Sequence, residues 1–355
     1  MSGGVDSLRT AALLKERGIE VFGIHMQLFP DPRSRGWSND SIFGDRQHNL
    51  KSLADQLEIP LATVDFRDLF RTKVILPFMQ AYRDGLTPNP CVICNPTIKF
   101  GFLFEEARQR GATYLATGHY VTLVPPTGAS DRFKLYRGKD SGKDQSYFLY
   151  GLSQQQLSRA LFPLGDQSKE QVLEWAFNQG FPRDLAIESQ ELCFIHSGTY
   201  RQLLAQDSPA AASGGPIVDM EGNCLARHKG IFAYTIGQRR GLGIASSAPY
   251  YVVDLDAASN TVRVGREQDL YRSQLLADKV NWLSISPPQT PLRAQVRIRN
   301  QHQPAPAWII PGQGADRCLV LFDAPQRAVT PGQAAVFYQD ALVLGGGTIK
   351  KQPAS

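Results

Sequence analysis

Three short stretches carry residue types and spacings that could do chemistry. The first is SGGVDS at residues 2–7. Gly3 and Gly4 let backbone N–H groups approach anionic oxygens closely, and Ser2 and Ser7 add hydroxyl donors. A helical pattern begins at about Leu8, so the positive end of a helix points at the same place. No Gly-Lys-Ser/Thr follows, which excludes the common nucleotide loop that grips the outer phosphates with its own lysine. The plain alternative is a glycine-rich helix cap. The second stretch is TPNPCVICN at 87–95, where two prolines stiffen a loop and Cys91 and Cys94 stand two residues apart. That pair fits half of a zinc site, a redox pair or buried structural cysteine. A second pair of ligands is missing, because Cys224 and Cys318 lie far apart and the six histidines are scattered singly. The third is Cys193 in ELCFI, which alone reads as a core cysteine.

The elements around these stretches follow from hydrophobic periodicity. Helices are predicted over 8–18, 45–58 and 99–111, and strands over 19–28, 59–66 and 114–118. Such alternation implies an α/β fold, a doubly wound parallel sheet whose ligands bind at the carboxyl ends of the strands. Residues 29–44 are polar and read as a long loop, and 121–138 as a β-hairpin. After about residue 200 the pattern changes to strand–turn–strand units at 216–226, 250–265 and 318–349, which predict antiparallel β and a small C-terminal barrel. In RAQVRIRN (293–300), Arg293, Gln295, Arg297 and Arg299 fall on one strand face, with Ala294, Val296 and Ile298 on the other. That is an apolar face for a core and a cationic face for phosphates.

The 355 residues exceed what one core usually serves, so two or three domains are expected. Net charge is +5, and residues 266–355 hold most of the excess, with 10 Lys and Arg against 6 Asp and Glu. A polyanion partner for the C-terminal end is one reading, and a solvated basic surface the other. No apolar run approaches the ~20 residues of a membrane span. Asp6, Arg9 and Lys15 interrupt any signal-peptide core, so a cytoplasmic protein without a membrane partner is expected. Five cysteines, unevenly spaced, do not form a disulfide framework.

SGGVDS resembles the pyrophosphate loop of the ATP pyrophosphatases (the PP-loop superfamily), which cleave ATP between its α- and β-phosphates and adenylate an oxygen. Asp6 would then help hold Mg²⁺ and pyrophosphate. With SGGVDS, the blocks PNPCVICN (88–95), ATGHY (116–120), GKDQSYFLYGLS (142–153), LCFI (192–195), YTIGQRRGLGI (234–244) and PGQAAVFY (331–338) occur in this order. Over nearly its whole length the chain resembles the bacterial tRNA-specific 2-thiouridylases, enzymes that thiolate uridine 34 at the wobble position.

The resemblance implies a PP-loop catalytic domain of the adenine nucleotide alpha hydrolase type over 1–200, a small central β-rich domain over 201–265 and a tRNA-contacting β-barrel over 266–355. Part of 163–185 is expected to pack with the central domain. It implies ATP on Ser2, Gly3, Gly4, Val5, Asp6 and Ser7, with Met26 and Gly118. Cys94 would be the nucleophile and Cys193 the persulfide carrier, the two closing a disulfide after sulfur transfer. Asn89, Pro90 and Cys91 would touch the target base. His119, Lys143, Asp144, Gln145, Arg299, Asn300 and Gln333 would contact tRNA. A cysteine desulfurase or sulfur-relay protein would supply the persulfide. Rival readings are another PP-loop tRNA sulfurtransferase and an RNA-binding protein with a dead ATP loop.

Two departures stand out. Many relatives carry aspartate where Cys91 stands, and a thiol that ionises near pH 8.5 is no simple substitute for a carboxylate. Cys91, Cys94 and Cys193 could instead hold an iron–sulfur cluster. Relatives also place a short apolar strand before SGGVDS, where this sequence has Met1. A late start is one expectation, and closure of the sheet by other strands the other. Arg9 is expected on the outer face of the first helix, since inward its charge would be buried unpaired.

Overall fold

The chain turns at Gly3, whose φ of +82° lies in the left-handed region that favours glycine. Helix α1 (Val5–Glu16) follows, one turn earlier than its apolar spacing predicts. Val5, Leu8, Ala12 and Leu13 are among its buried residues. The computed structural model describes residues 1–29, 50–128, 130–186, 193–194 and 213–351. The predicted loop over 29–44 lies outside these residues beyond Phe29, as do the start of the helix over 45–58 and Leu192 and Ile195 of LCFI.

Contacts divide the chain into two compact units. The first comprises Met1–Val74, Cys91–Ser197 and Ala341–Val343. Its strand β1 (Gly23–Gln27) pairs in parallel with β2 (Leu61–Asp65). Strand β3 (Leu115–Ala116) is followed by the hairpin of β4 (Val121–Val124) and β5 (Lys134–Arg137), and pairs in parallel with β6 (Ala160–Leu161). Among the described residues the expected parallel sheet is therefore present as two pairs, β1–β2 and β3–β6. Gly23 N–H and Gln27 C=O bond to the β2 side, so Ile24 and Met26 turn their backbone groups the other way. There the Met1 amine donates to Ile24 C=O, and His25 Nδ1 lies 3.0 Å from Met1 C=O. Burial lowers the pKa of that amine to about 5.

The helices of this unit include one at 50–56 and α2 (Arg67–Phe70); the chain continues through a π turn at Arg71–Ile75 into α3 (Leu76–Arg83), which belongs to the second unit. Pro90 opens α4 (Pro90–Cys94), which runs into a π-helical segment, Asn95–Leu103, and then α5 (Phe104–Gln109). The helix predicted over 99–111 thus begins nine residues earlier. Two short polar patterns cap the remaining helices. Ser153 and Gln156 form a capping box on α6 (Gln154–Leu157), and Ser168 and Gln171 another on α7 (Lys169–Asn178).

Val5, Leu8 and Leu13 of α1 pack in one core with Leu53, Tyr120, Leu164, Val172, Ala176 and Phe181. The segment 163–185 therefore packs on α1, in the first unit, where the sequence reading put part of it with the central domain. Arg9 also departs from expectation. Its side chain is only 13% exposed, it pairs with Glu16 at 2.6 Å, and its guanidinium lies 4.9 Å over the Trp175 ring. An ion pair and an aromatic face let the charge lie inward.

The second unit comprises Ile75–Pro90, Gly198–Asp340 and Leu344–Ser355. Strands β7 (Gly215–Val218), β8 (Cys224–His228), β9 (Tyr251–Asp256) and β10 (Thr261–Gly265) form a sheet in the order β8-β7-β10-β9. It covers a core of Ile217, Val252, Leu255, Val262 and Val264. The β7–β10 pair is parallel, against the antiparallel expectation, because β7 and β10 are joined by a long crossover and not by a hairpin. Strands β11 (Tyr271–Trp282), β12 (Leu292–Arg297), β13 (Ala305–Pro311), β14 (Arg317–Arg327), β15 (Ala334–Gln339) and β16 (Leu342–Ile349) close a six-stranded barrel, with β11 paired to both β14 and β16. At the closing pair, a Cβ on Gly345 would stand 2.3 Å from Asn281 C=O, so the seam needs glycine there.

Candidate active site

The SGGVDS loop turns directly into α1. No side chain caps that helix, and the Ser7 N–H bonds to Gly4 C=O at 3.0 Å. Ser7 Oγ donates to Gly4 C=O at 2.8 Å and Ser2 Oγ lies 3.4 Å from Ser7 Oγ, which holds both hydroxyls at the same turn. Gly118 packs directly against Asp6, where a Cβ would meet the Asp6 carbonyl carbon and Cβ at 3.0 Å. Met26 sits at the carboxyl end of β1 with its backbone groups turned to the Met1 side, the side from which the loop departs.

Asp6 is not an open carboxylate. Lys169 Nζ donates to both of its oxygens at 2.8 and 2.9 Å, and the Tyr120 hydroxyl donates to Oδ1 at 2.7 Å. Lys169 is 8% exposed and Tyr120 1%. Neither residue stood out in the sequence. The Ser168–Gln171 box marks a helix start there, and nothing in its pattern says that the first residue reaches back to residue 6. Among the described residues no three His, Cys, Asp or Glu side chains are grouped to hold a metal ion.

The thiols form a second cluster. Cys94 leads directly into the π-helical segment, and such segments often mark functional positions. The π geometry is held from the block that follows 142. Gln156 Nε2 donates to the carbonyls of Pro96 and Phe100 at 2.7 and 3.2 Å, and Asn95 Nδ2 donates to Phe148 C=O at 2.9 Å. Cys193 lies on an exposed turn whose next residue, Phe194, is buried edge-on against Phe70 with ring centroids 6.0 Å apart.

Burial pushes the Cys91 and Cys94 thiols up, and Lys99 pulls both down. Desolvation first, and then the Cys94 and Cys91 thiols, push the Cys193 thiol up, with Lys99 opposing; the residue is nonetheless exposed on its turn. Cysteines about a hundred residues apart in sequence thus act on one another, and Lys99 acts on all three. All five cysteines are free thiols. Among the described residues, Cys91, Cys94 and Cys193, offered by the sequence as an alternative iron–sulfur ligand set, are not grouped as metal ligands.

His119 joins this neighbourhood from the other side. It is buried between Phe100 and Phe162, and Thr117 Oγ1 lies 2.8 Å from its Nδ1. Lys99 Nζ lies 3.5 Å from Nε2. Burial first, and Lys99 second, hold its pKa well below 6.5. A neutral ring that accepts from Lys99 carries its proton on Nδ1 and donates it to Thr117.

The other residues singled out in the sequence fall in several places. Asp144 is buried and accepts the Ser146 N–H at 3.0 Å, Gln145 accepts the Tyr120 N–H at 3.3 Å, and Lys143 is half-buried. In the second unit, Gln333 Nε2 donates to Thr87 C=O at 2.9 Å and Thr87 N–H donates to Pro331 C=O at 2.9 Å. These bonds fasten the segment that leads to Asn89 and Pro90. The strand face of Arg293, Gln295, Arg297 and Arg299 alternates with buried Ala294, Val296 and Ile298 as predicted. It is less free than its sequence suggests. Arg293 is paired with Asp323, Arg297 donates to Asn300 C=O, and Arg299 is exposed beside half-buried Asn300.

Comparison with known proteins follows this geometry. Residues 1–197 match the family described as tRNA methyl transferase HUP domain, 202–266 its PRC-barrel domain and 272–349 the aminomethyltransferase beta-barrel domain. A tRNA-specific 2-thiouridylase of Caldanaerobacter subterraneus subsp. tengcongensis is 44% identical over 99% of this chain and 97% of its own length. Its counterpart in Trichlorobacter lovleyi is 46% identical over 99% and 96%. That of Heliobacterium modesticaldum is 43% identical over 98% and 91%. An α/β unit with a glycine-rich loop, cysteines on the short helix that leads into a π-helical segment and a closed C-terminal barrel accompany matches of that length and identity, and the chain is a member of the tRNA-specific 2-thiouridylase family.

Proposed function

We propose that this protein is an ATP-dependent tRNA-uridine 2-sulfurtransferase acting at the wobble position 34. The observation that supports it is the near-full-length similarity to tRNA-specific 2-thiouridylases, with Cys91, Cys94, Cys193 and Lys99 in the same compact unit as the SGGVDS loop. In this reading the uridine is turned out of the anticodon stack to meet the site. Its O2 attacks the α-phosphorus of ATP, and pyrophosphate leaves against the loop. The terminal sulfur of a Cys193 persulfide then adds to C2, the C2–O2 bond breaks and AMP departs with the oxygen. The Cys94 thiolate attacks Cys193 Sγ, which leaves the transferred sulfur on C2 and a Cys94–Cys193 disulfide. An external thiol reductant resets the pair, and a cysteine desulfurase or sulfur-relay protein reloads Cys193.

The chain's own residues have distinct parts in this sequence. Ser2, Gly3, Gly4, Val5 and Ser7 cradle the phosphates, with Met26 and Gly118 on the nucleotide. Lys99 favours the thiolate form of both reacting cysteines. Asp6 is the carboxylate that would meet Mg²⁺ carried in by the phosphates, and such an ion, when bound, neutralises phosphate charge. Asn89, Pro90 and Cys91 are assigned to the base. His119, Lys143, Asp144, Gln145, Arg299, Asn300 and Gln333 are assigned to tRNA contact or to holding the segments that make it. The three proposed domains are 1–200, 201–265 and 266–355.

Cys94→Ser and Cys193→Ser variants test the chemistry, with thiolated tRNA read by mass analysis and pyrophosphate release read separately. Each variant is expected to lose thiolation. Full activity in either removes the persulfide route. Tight tRNA binding by the wild-type chain without any pyrophosphate release favours the dead-loop reading instead.

A further inference from the structure

SGGVDS has no lysine of its own, yet an ammonium group stands on it. We infer that Lys169 is the phosphate-binding lysine of this site, reaching the β- and γ-phosphates of ATP and the pyrophosphate that leaves. The inference rests on the reading that the loop holds ATP.

Its placement is fixed by packing. Lys169 is the first residue of α7, and Val172 and Ala176 follow it on the same helical face. Both are buried against Val5 and Leu8 of α1, the residues on either side of Asp6 and Ser7. The Lys169 backbone N–H is held by Asp140 at 2.9 Å. From that anchor its side chain lies along the first turn of α1 and meets Asp6 through both carboxylate oxygens. Tyr120 and Gly118 hold Asp6 from the other side.

A buried ion pair of this kind contributes little to stability, because desolvation offsets its attraction. It does place a cation on Asp6, in the first turn of a helix that no side chain caps. Asp6 holds the ammonium in place through both carboxylate oxygens before nucleotide arrives. When the bond from the α-phosphorus to the bridging oxygen breaks, negative charge grows on the departing pyrophosphate. A fixed lysine stabilises that charge without reorganising. The lysine that other nucleotide loops carry within the loop is supplied here by a helix 163 residues further along the chain.

The test uses the full chain with α,β-methylene-ATP, which cannot be cleaved, and AMP, which lacks the outer phosphates. Lys169→Met is expected to bind the ATP analogue about ten-fold more weakly or worse, the scale of one lost charge-assisted contact. AMP binding should stay within about two-fold, and Lys169→Arg should recover most of the analogue affinity. Parallel loss of both ligands marks a structural role and overturns the proposal, as does unchanged analogue binding. Should Lys169→Met not fold, acylation of Lys169 in the wild-type chain is read by peptide mass. Protection by pyrophosphate and not by AMP supports the role, and equal labelling overturns it. A wild-type chain that binds neither analogue nor AMP removes the ATP reading itself, which is a different failure.

Discussion

Lys99 is the residue whose effect reaches furthest. Its ammonium lowers the pKa of Cys91, Cys94 and Cys193 against burial that raises all three. Lys99→Met should therefore reduce the thiolate fraction at neutral pH, by about ten-fold for each pKa unit lost. Alkylation rates of Cys94 across pH, with buried Cys318 as the slow internal reference, measure this. An unchanged rate profile would show that Lys99 does not govern the thiols.

His119 gives the matching prediction for acid. Its folded pKa lies well below the 6.5 of the free side chain. As pH falls below about 6.5 the unfolded chain takes up a proton that the folded chain refuses. Stability is thus fully present above 6.5 and declines as pH falls toward the folded value. Urea unfolding between pH 7.5 and 5 should show a shallower decline in His119→Gln.

At the scale of elements, the π-helical segment is held by side chains from elsewhere. Gln156 satisfies two of its carbonyls while its Oε1 accepts the Ser153 N–H and completes the cap of α6. Gln156→Ala removes all three bonds. It should cost about 2–3 kcal/mol in unfolding free energy, the sum expected for several partly exposed hydrogen bonds. It should also slow Cys94 modification or thiolation more than that loss alone explains. The loop at α1 depends on a close approach instead. Gly118→Ala would drive a Cβ to 3.0 Å from Asp6. Nucleotide-dependent pyrophosphate release should fall at least about ten-fold while the fold persists, since the strain is local. Circular dichroism with a pyrophosphate assay separates the two effects.

At the scale of the whole molecule, the basic C-terminal end is the proposed surface for the polyanion, but its arginines are not equivalent. Arg293 is already engaged by Asp323, whereas Arg299 is exposed. Arg299→Ala should weaken tRNA binding and reduce the slope of log affinity against log salt by about 1. Arg293→Ala should leave that slope nearly unchanged, because its charge is cancelled before RNA arrives. Filter binding over a salt series reads both, and equal slopes for the two variants would contradict the assignment.

Much of this was legible in the chain. The helix and strand periods, the hairpin at 121–138, the barrel and the alternation of RAQVRIRN follow from side-chain spacing, which is local. The motifs SGGVDS and PNPCVICN are also local, because each is written in consecutive residues, although the second folds as a helix from Pro90 and not as the loop its prolines suggest. The ion pair of Lys169 with Asp6, the packing of 163–185 on α1 and the inward turn of Arg9 were not legible. Each depends on which helix faces lie together, and one face of a helix can meet many partners. The pairing of parallel strands two by two among the described residues was likewise decided by backbone neighbours that no pattern names. The sequence determined which groups the site contains. Only tertiary structure decided which charges stand beside which thiols and phosphate donors, since electrostatic reach is set by distance in space and not by separation along the chain.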